Sequence, residues 1–539
     1  MKYFGTIAGP FELSAFDAVP KEGIYGMTVF ARRFIRALLR FGDFDELHVF
    51  YSGLYREPPA NGMLASDPRI RLLPLVSFAA ATAQYDYHAF HNIWSPDIGP
   101  WTDLRNRLCG TNIPITGLTH TISYQSFLPR TLATMILGSR PWDSIVCTTE
   151  SARIAMREWI AYIREEFSGG YGTDVRFDAR LDRIPLAVDP DVFQPGDRAE
   201  LRARLDLPPD RVLGLYFGRF SHYDKIDLFP LLLAFRKALE NCPEKPLLVI
   251  AGSESFHKYS VRVREFSAEL GIRDSVILRT DLPDDDVPAL CAAADFFVSP
   301  SDNLQETFGQ SIIEAMASGL PVICSDWNGY KELVLHEETG YRVRTYWMDC
   351  NRQVCDYSGV SDWIVDHFLI AQSVAVDVPA MAASIARLAS DEPLRRTWGG
   401  NGRRRVLELF TWRSVIARYL SLWRELREVA QAAPPPERNP GGIQRTWYRP
   451  EFFRTFRHYP TRAVAPADRI SPGLDHPVRF YPELASSFQL PVFEAILSRA
   501  AARPTVADLS PLAAELSLSP DVFDSHLLWL IKYGHLNIE

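Results

Sequence analysis

Glu306 and Glu314 bracket the turn Gly309-Gln310-Ser311, and no other stretch of the chain holds residue types so directly suited to chemistry. An apolar run that reaches Ser299 gives way to a polar loop, Gly309 lets the backbone turn closely, and a helical pattern follows. A strand, a loop and a helix in that order leave free N–H groups at the helix start, where a phosphate binds well. Glu314, about one turn into the helix, falls on the ligand side, where a carboxylate accepts hydrogen bonds from ribose hydroxyls. Glu306 lies on the preceding loop, placed to touch the hydroxyls of a sugar. Spacing alone is also compatible with plainer roles: a solvated helix carboxylate, and a charge that complements the helix N-terminus.

A second cluster follows the apolar run 212–217, where Arg219 and Lys225 share one loop. Arg presents a planar fork of donors and Lys a point charge, so the two could clamp a diphosphate; two solvated surface cations are the alternative. In the first half, Gly23 and Gly26 precede a helical pattern that starts near residue 27. Such an entry lets a phosphate or sugar approach closely, although a glycine at a turn needs no ligand. His120 follows the apolar run 113–118 at its carboxyl end, where α/β sheets bind ligands, and His91 stands at a similar strand end and could line the acceptor side. For either one, a structural histidine bonded to backbone is the competing reading.

These residues need elements that bring several strand ends together. Strand-like runs at 47–51, 113–118 and 144–148, with a helical pattern at 27–39, form a first set; residues 168–174 read as a long Gly-containing loop. Runs at 212–217, 247–251, 276–278, 296–299 and 321–324 form a second set. Apolar runs alternating with amphipathic helical segments imply βαβ units and parallel sheets, so the class is α/β with two Rossmann-like units. The turn pairs Asp189-Pro190 and Pro208-Pro209 mark the join. The expected organisation is a first domain over 1–190, a second over 191–411, and a long amphipathic helix over 412–430. A Pro/Gly linker over 431–444 follows. Last comes an arm rich in Arg and aromatics at 445–462, leading into a small helical module, winged-helix-like in pattern, that ends at 539.

Composition narrows the function classes. With 539 residues, 47% of them hydrophobic and 23% charged, the chain exceeds one core and is too apolar for general disorder. A formal charge of −8 argues against a protein whose main task is coating nucleic acid. Seven irregularly spaced cysteines suit a reducing compartment better than a disulfide framework. No stretch reaches the roughly 20 apolar residues of a membrane span, and the first residues lack a signal-like apolar region. A cytoplasmic protein, at most peripheral to a membrane, is the expectation.

The two glutamates separated by seven residues, set within Phe308-Gly309, Ala315-Met316-Ala317-Ser318-Gly319 and Pro321-Val322-Ile323, resemble the family-4 retaining glycosyltransferases of the GT-B fold. The resemblance covers residues 1–430, strongly in the second domain and loosely in the first. It implies a GT-B architecture of two Rossmann-like domains facing across a cleft, and a nucleotide-sugar donor with no other cofactor and no metal. It further implies that Glu306 contacts the donor sugar, Glu314 the ribose, and Arg219 and Lys225 the diphosphate together with Gly309, Gln310 and Ser311. Gly26 and Gly23 would belong to a glycine loop over the donor, and His120 would hydrogen-bond near the sugar. Ile226 stands where the family often has glycine, which leaves the shape of the Lys225 loop in question. The leaving phosphate itself would help to take the acceptor's proton on the front face of the donor. The acceptor, whether glycan, lipid, small molecule or peptide, is not implied.

The module at the C-terminus lies outside this resemblance; it reads as packing against the catalytic domains or as a contact for a protein partner. A rival from another class is a non-catalytic protein that senses a nucleotide sugar and contacts a protein or nucleic acid through residues 445–539. A glycosyl phosphorylase on the same fold would need a pyridoxal-phosphate lysine or an inorganic-phosphate site, and neither is evident in the sequence.

Overall fold

The computed structural model describes residues 1–8, 26–51, 67–242, 245–254, 258–280, 282–283, 286–434, 452–479, 481, 484 and 487–539. Two parallel sheets dominate. The first comprises β1 (Tyr3–Ile7), β2 (Glu46–Tyr51), β3 (Ile70–Pro74), β4 (Tyr87–Asn92), β5 (Ile115–Leu118), β6 (Ser144–Cys147) and β7 (Arg180–Arg183), in the order β3-β2-β1-β4-β5-β6-β7. The second comprises β8 (Leu213–Phe217), β9 (Leu247–Gly252), β10 (Val276–Thr280), β11 (Phe296–Ser299), β12 (Val322–Ser325) and β13 (Gly340–Val343), in the order β10-β9-β8-β11-β12-β13.

In each sheet the strand order reverses at the first strand, between β1 and β4 and between β8 and β11. Crevices at such switch points, beyond the carboxyl ends of the strands, are where doubly wound sheets take ligands. The loops that follow β8 and β11 carry Arg219, Lys225 and Glu306, so the topology delivers those residues to one place. Each sheet is covered on both faces. The central strands read accordingly as unbroken apolar runs: Leu247, Leu248, Val249, Ile250 and Ala251 are all buried.

A helix over Trp412–Ala432 leaves the second domain and packs on the first. Its N-cap Thr411 accepts from Ser414 N at 3.2 Å. Trp412, Val415, Ile416, Tyr419, Leu422, Trp423 and Leu426 recur at helical spacing and join Phe4, Phe34, Leu38 and Val49 in one core. Beside it the join runs as a second connection: Val188 N donates to Phe410 O at 2.8 Å, and Val188 bridges Thr411 in parallel.

Two local expectations are corrected. Residues 168–174 do not form a long loop: the helix Glu150–Tyr171 runs through Gly169 and Gly170 and stops at Gly172, whose φ of 62° makes the left-handed cap. The strand expected over 113–118 starts only at Ile115, because Pro114 has no N–H to place in the ladder.

The chain divides into two compact units, one within Met1–Gly442 and one within Ile443–Glu539. The second unit is a helical module. Helices Leu490–Ala500, Val506–Leu509, Pro511–Glu515 and Pro520–Lys532 enclose Phe493, Ile496, Phe523, Leu527 and Leu530, and the short strands Ile470–Pro472 and Leu536–Ile538 pair antiparallel at its edge. Among the described residues no helix is long and apolar enough to cross a membrane.

Candidate active site

The loop after β11 is anchored before it reaches the glutamates. Asn303 Nδ2 donates to Tyr223 O at 2.9 Å, tying this loop to the one after β8. Gly309 then adopts φ 108°, and a Cβ there would lie 2.6 Å from the Tyr330 ring, so only glycine lets the chain turn into the helix Gln310–Ala317. A similar close approach holds the β8 loop: a Cβ on Gly252 would meet Gly218 O at 1.7 Å. The turn that carries Arg219 therefore rests directly on the end of β9.

Glu306 and Lys225 meet in a direct ion pair across these two loops. Glu306 Oε1 also accepts from Phe308 N at 3.1 Å. Burial pushes the Glu306 carboxyl up, but the Lys225 ammonium and the N–H groups of Phe308 and Gly309 outweigh it and hold the group below the usual carboxylate range. A negative charge is thus stabilised where the Phe308 and Gly309 N–H groups converge. Asn328 Nδ2 donates to Glu306 O and fixes the backbone of the same residue from β12's side.

Arg219 Nη1 reaches Asp224 at 3.0 Å, and Ser221 Oγ donates to the same carboxylate, so the guanidinium is oriented rather than loose. Glu314 is buried on the helix Gln310–Ala317 and accepts from Arg33 Nη1 at 3.2 Å and Gln310 Nε2 at 3.4 Å. Burial lifts its carboxyl, and Arg33 and Gln310 draw it back only in part. Gln310 Nε2 also donates to Ala187 O at 3.0 Å, which ties the helix start to the join between the domains. Ser311 is partly exposed one residue further on.

His120 stands at the end of β5 with Nε2 against Ile93 O at 2.7 Å, and burial lowers it to about 4, so the ring is neutral near pH 7. Its carbonyl accepts from Thr307 Oγ1 at 2.7 Å, and Thr149 Oγ1 donates to Thr307 O at 3.0 Å. His120 therefore stands against the loop that carries Glu306, and the two domains meet there. Gly26 is the first residue of the helix Gly26–Phe41; Gly23 lies outside the described residues.

His91 is corrected. Rather than lining the acceptor side, it is fully buried beneath the helix Trp412–Ala432, between Phe34, Tyr419 and Trp423, with Nδ1 2.8 Å from Thr116 Oγ1. Burial and the neighbouring His120 lower it to about 3, which makes it a neutral core side chain.

Three contributors are not evident from the sequence pattern. Arg33 reaches Glu314 from the first domain, and only the tertiary fold shows it. Asp224 is recoverable in principle, as an acid five residues after Arg219 on the same loop. Asp302, buried beside Asp227, accepts from Asp227 N at 3.3 Å; burial and that neighbouring charge raise it to about 7.

Residues 197–356 match the family described as Glycosyl transferases group 1, so the second sheet and its site loops form a glycosyl transferases group 1 domain. Among curated proteins, the chain is 34% identical over 177 residues to the D-inositol 3-phosphate glycosyltransferase of Nocardia farcinica, covering 32% of this chain and 38% of that protein. It is 26% identical over 278 residues to the GDP-mannose-dependent alpha-(1-6)-phosphatidylinositol monomannoside mannosyltransferase of Mycolicibacterium smegmatis, covering 50% and 62%. The chain spans less than two thirds of the length of the curated relatives it matches first. Among solved structures, sucrose-phosphate synthase from Thermosynechococcus elongatus superposes with a TM-score of 0.55 at 21% identity, over 80% of this chain and all of the other. HepE of Anabaena in complex with UDP superposes with a TM-score of 0.53 at 15% identity, over 78% of this chain and all of the other. The fold is GT-B.

Proposed function

We propose that the chain is a retaining glycosyltransferase that moves a sugar from a nucleoside diphosphate sugar to an acceptor without a metal ion. The observation that carries this reading is the Lys225–Glu306 ion pair at the start of the Gln310–Ala317 helix, with Glu314 on that helix. A cation, a set of free N–H groups and two carboxylates converge where a strand ends, which is what a diphosphate joined to a sugar on one side and a ribose on the other requires.

With donor bound, Lys225 and Arg219 turn to the diphosphate, while Glu306 accepts from sugar hydroxyls and Glu314 from the ribose. As the bond from the anomeric carbon to the diphosphate oxygen breaks, the acceptor oxygen bonds to that carbon on the same face, and its proton passes to the departing phosphate oxygen. Arg219, Lys225 and the N–H groups at Gln310 and Ser311 offset the charge that develops on the leaving group. Neutral His120 contributes a hydrogen bond near the sugar rather than a base.

The first test is a thermal-shift and diphosphate-release screen. UDP-glucose and GDP-mannose head the donor panel, because a similar fold is solved with UDP and one relative is GDP-mannose-dependent. One donor should raise the melting temperature and be hydrolysed slowly, and Glu306→Ala should cut release by about 100-fold or more while the melting temperature stays near wild type. Wild-type release in that variant would remove Glu306 from the chemistry. A folded protein that no donor stabilises, and that releases no diphosphate, would overturn the reading.

A further inference from the structure

We propose that a cavity at the hinge between the two Rossmann-like domains binds a small phosphate-bearing anion, and that this site is distinct from the donor site. The cavity, about 550 Å³, is lined by Arg33, Arg36 and Arg40 from the helix Gly26–Phe41 and by Arg413 from the start of the helix Trp412–Ala432, with Phe41 and Trp412 among its apolar walls. Spacings of three and four place the first three arginines on one face of their helix.

Charge is what sets this cavity apart. Arg40 and Arg413 both lie over the Phe41 ring, 5.0 and 4.9 Å from its centre. Among the described residues, Arg36, Arg40 and Arg413 make neither an ion pair nor a hydrogen bond, whereas most other arginines of this net-acidic chain are paired. Asp189 and Asp191 also line the cavity, yet neither pairs with an arginine; Asp189 Oδ1 instead accepts from Asp191 N at 3.0 Å within a local turn. Arg40 and Arg413, gathered on one ring and paired with no carboxylate, repel each other, and a phosphate that takes two guanidinium forks relieves this. The donor-site residues Arg219, Lys225 and Glu306 do not line the cavity.

The location gives the occupant a consequence. The walls come from the first domain and from both connections between the domains, where Val188 bridges Thr411. Arg33 also holds Glu314. An anion that draws Arg33 away frees the Glu314 carboxylate and so tunes donor affinity, a consequence that rests on reading Glu314 as the ribose contact; binding itself does not.

Calorimetric titration of sodium tripolyphosphate into the full chain tests the site. It is done in an Arg219→Ala background, where the donor clamp is disabled. Binding is expected to persist there, and adding Arg36→Gln and Arg40→Gln should weaken it by about tenfold or more. Arg413→Gln, tested separately, should weaken it in the same direction, and it serves as the reporter if the double substitution impairs folding. Absence of binding in the Arg219→Ala protein, or equal affinity with and without Arg36 and Arg40, overturns the proposal. If nucleotide sugars fail to bind while tripolyphosphate binding still depends on Arg36 and Arg40, the transferase reading falls and the hinge site stands.

Discussion

At the scale of single residues, the candidate site is a set of charges that satisfy one another. Glu306 takes the Lys225 ammonium and the N–H groups of Phe308 and Gly309. Asp302, a few residues earlier, is the strained member of the loop: burial and Asp227 raise its carboxyl from the usual range to about 7. A carboxyl raised on folding binds its proton more tightly in the native state. Its stabilising contribution is therefore fully present below the unfolded value near 3.8 and is lost as pH rises through about 7. Asp302→Asn keeps an oxygen to accept from Asp227 N and removes the charge. The variant should match wild type near pH 4 and exceed it at pH 8, by up to roughly 4 kcal/mol. Denaturant melts of both proteins across that range check this; a constant difference at all pH values would show that Asp302 does not titrate in the window.

At the scale of elements, the second domain places its site by local means and the first by distant ones. The loops after β8 and β11 carry charged groups of their own, and a strand, a glycine turn and a helix start are contiguous along the chain, so the placement of Arg219, Lys225, Glu306 and Glu314 on these loops and the helix that follows is legible in the sequence. Arg33 is not, because its partner Glu314 is 281 residues away and an arginine on an amphipathic helix looks like any solvated charge. His91 misleads for the converse reason. A histidine at a strand end resembles a ligand until the helix Trp412–Ala432 is seen to cover it. That helix is the element on which the first domain depends most. Trp423 is buried between Phe4, Phe44 and Tyr419, and its Nε1 donates to Thr116 Oγ1 at 3.1 Å, so the helix is bonded to β5 as well as packed on it. Trp423→Ala should cost about 3–5 kcal/mol in unfolding free energy. The loss falls on the first domain although the residue follows the second in sequence. Hydrogen exchange should accordingly quicken in β1, β4 and β5 before it does in β8 and β9, and uniform quickening of both sheets would count against this division.

At the scale of the whole molecule, two compact units are built on separate hydrophobic cores. Among the described residues, the core of the C-terminal module draws on residues between Ile470 and Ile538, and the larger unit supplies its own through five clusters. Separate cores unfold as separate cooperative transitions, and a ligand stabilises only the transition that destroys its site. Every residue assigned to the donor belongs to the larger unit. Scanning calorimetry of the full chain should therefore resolve two transitions, of which UDP or GDP raises only the one with the larger enthalpy. The gain corresponds to about 2.7 kcal/mol at a hundredfold excess over Kd. The enthalpies themselves identify the units, because specific enthalpy of unfolding varies little between proteins and so scales with the number of residues that unfold. A single transition that the nucleotide moves as a whole would mean that the module unfolds with the larger unit and belongs to its cooperative structure. A nucleotide effect confined to the smaller transition would contradict the placement of the donor site in the larger unit.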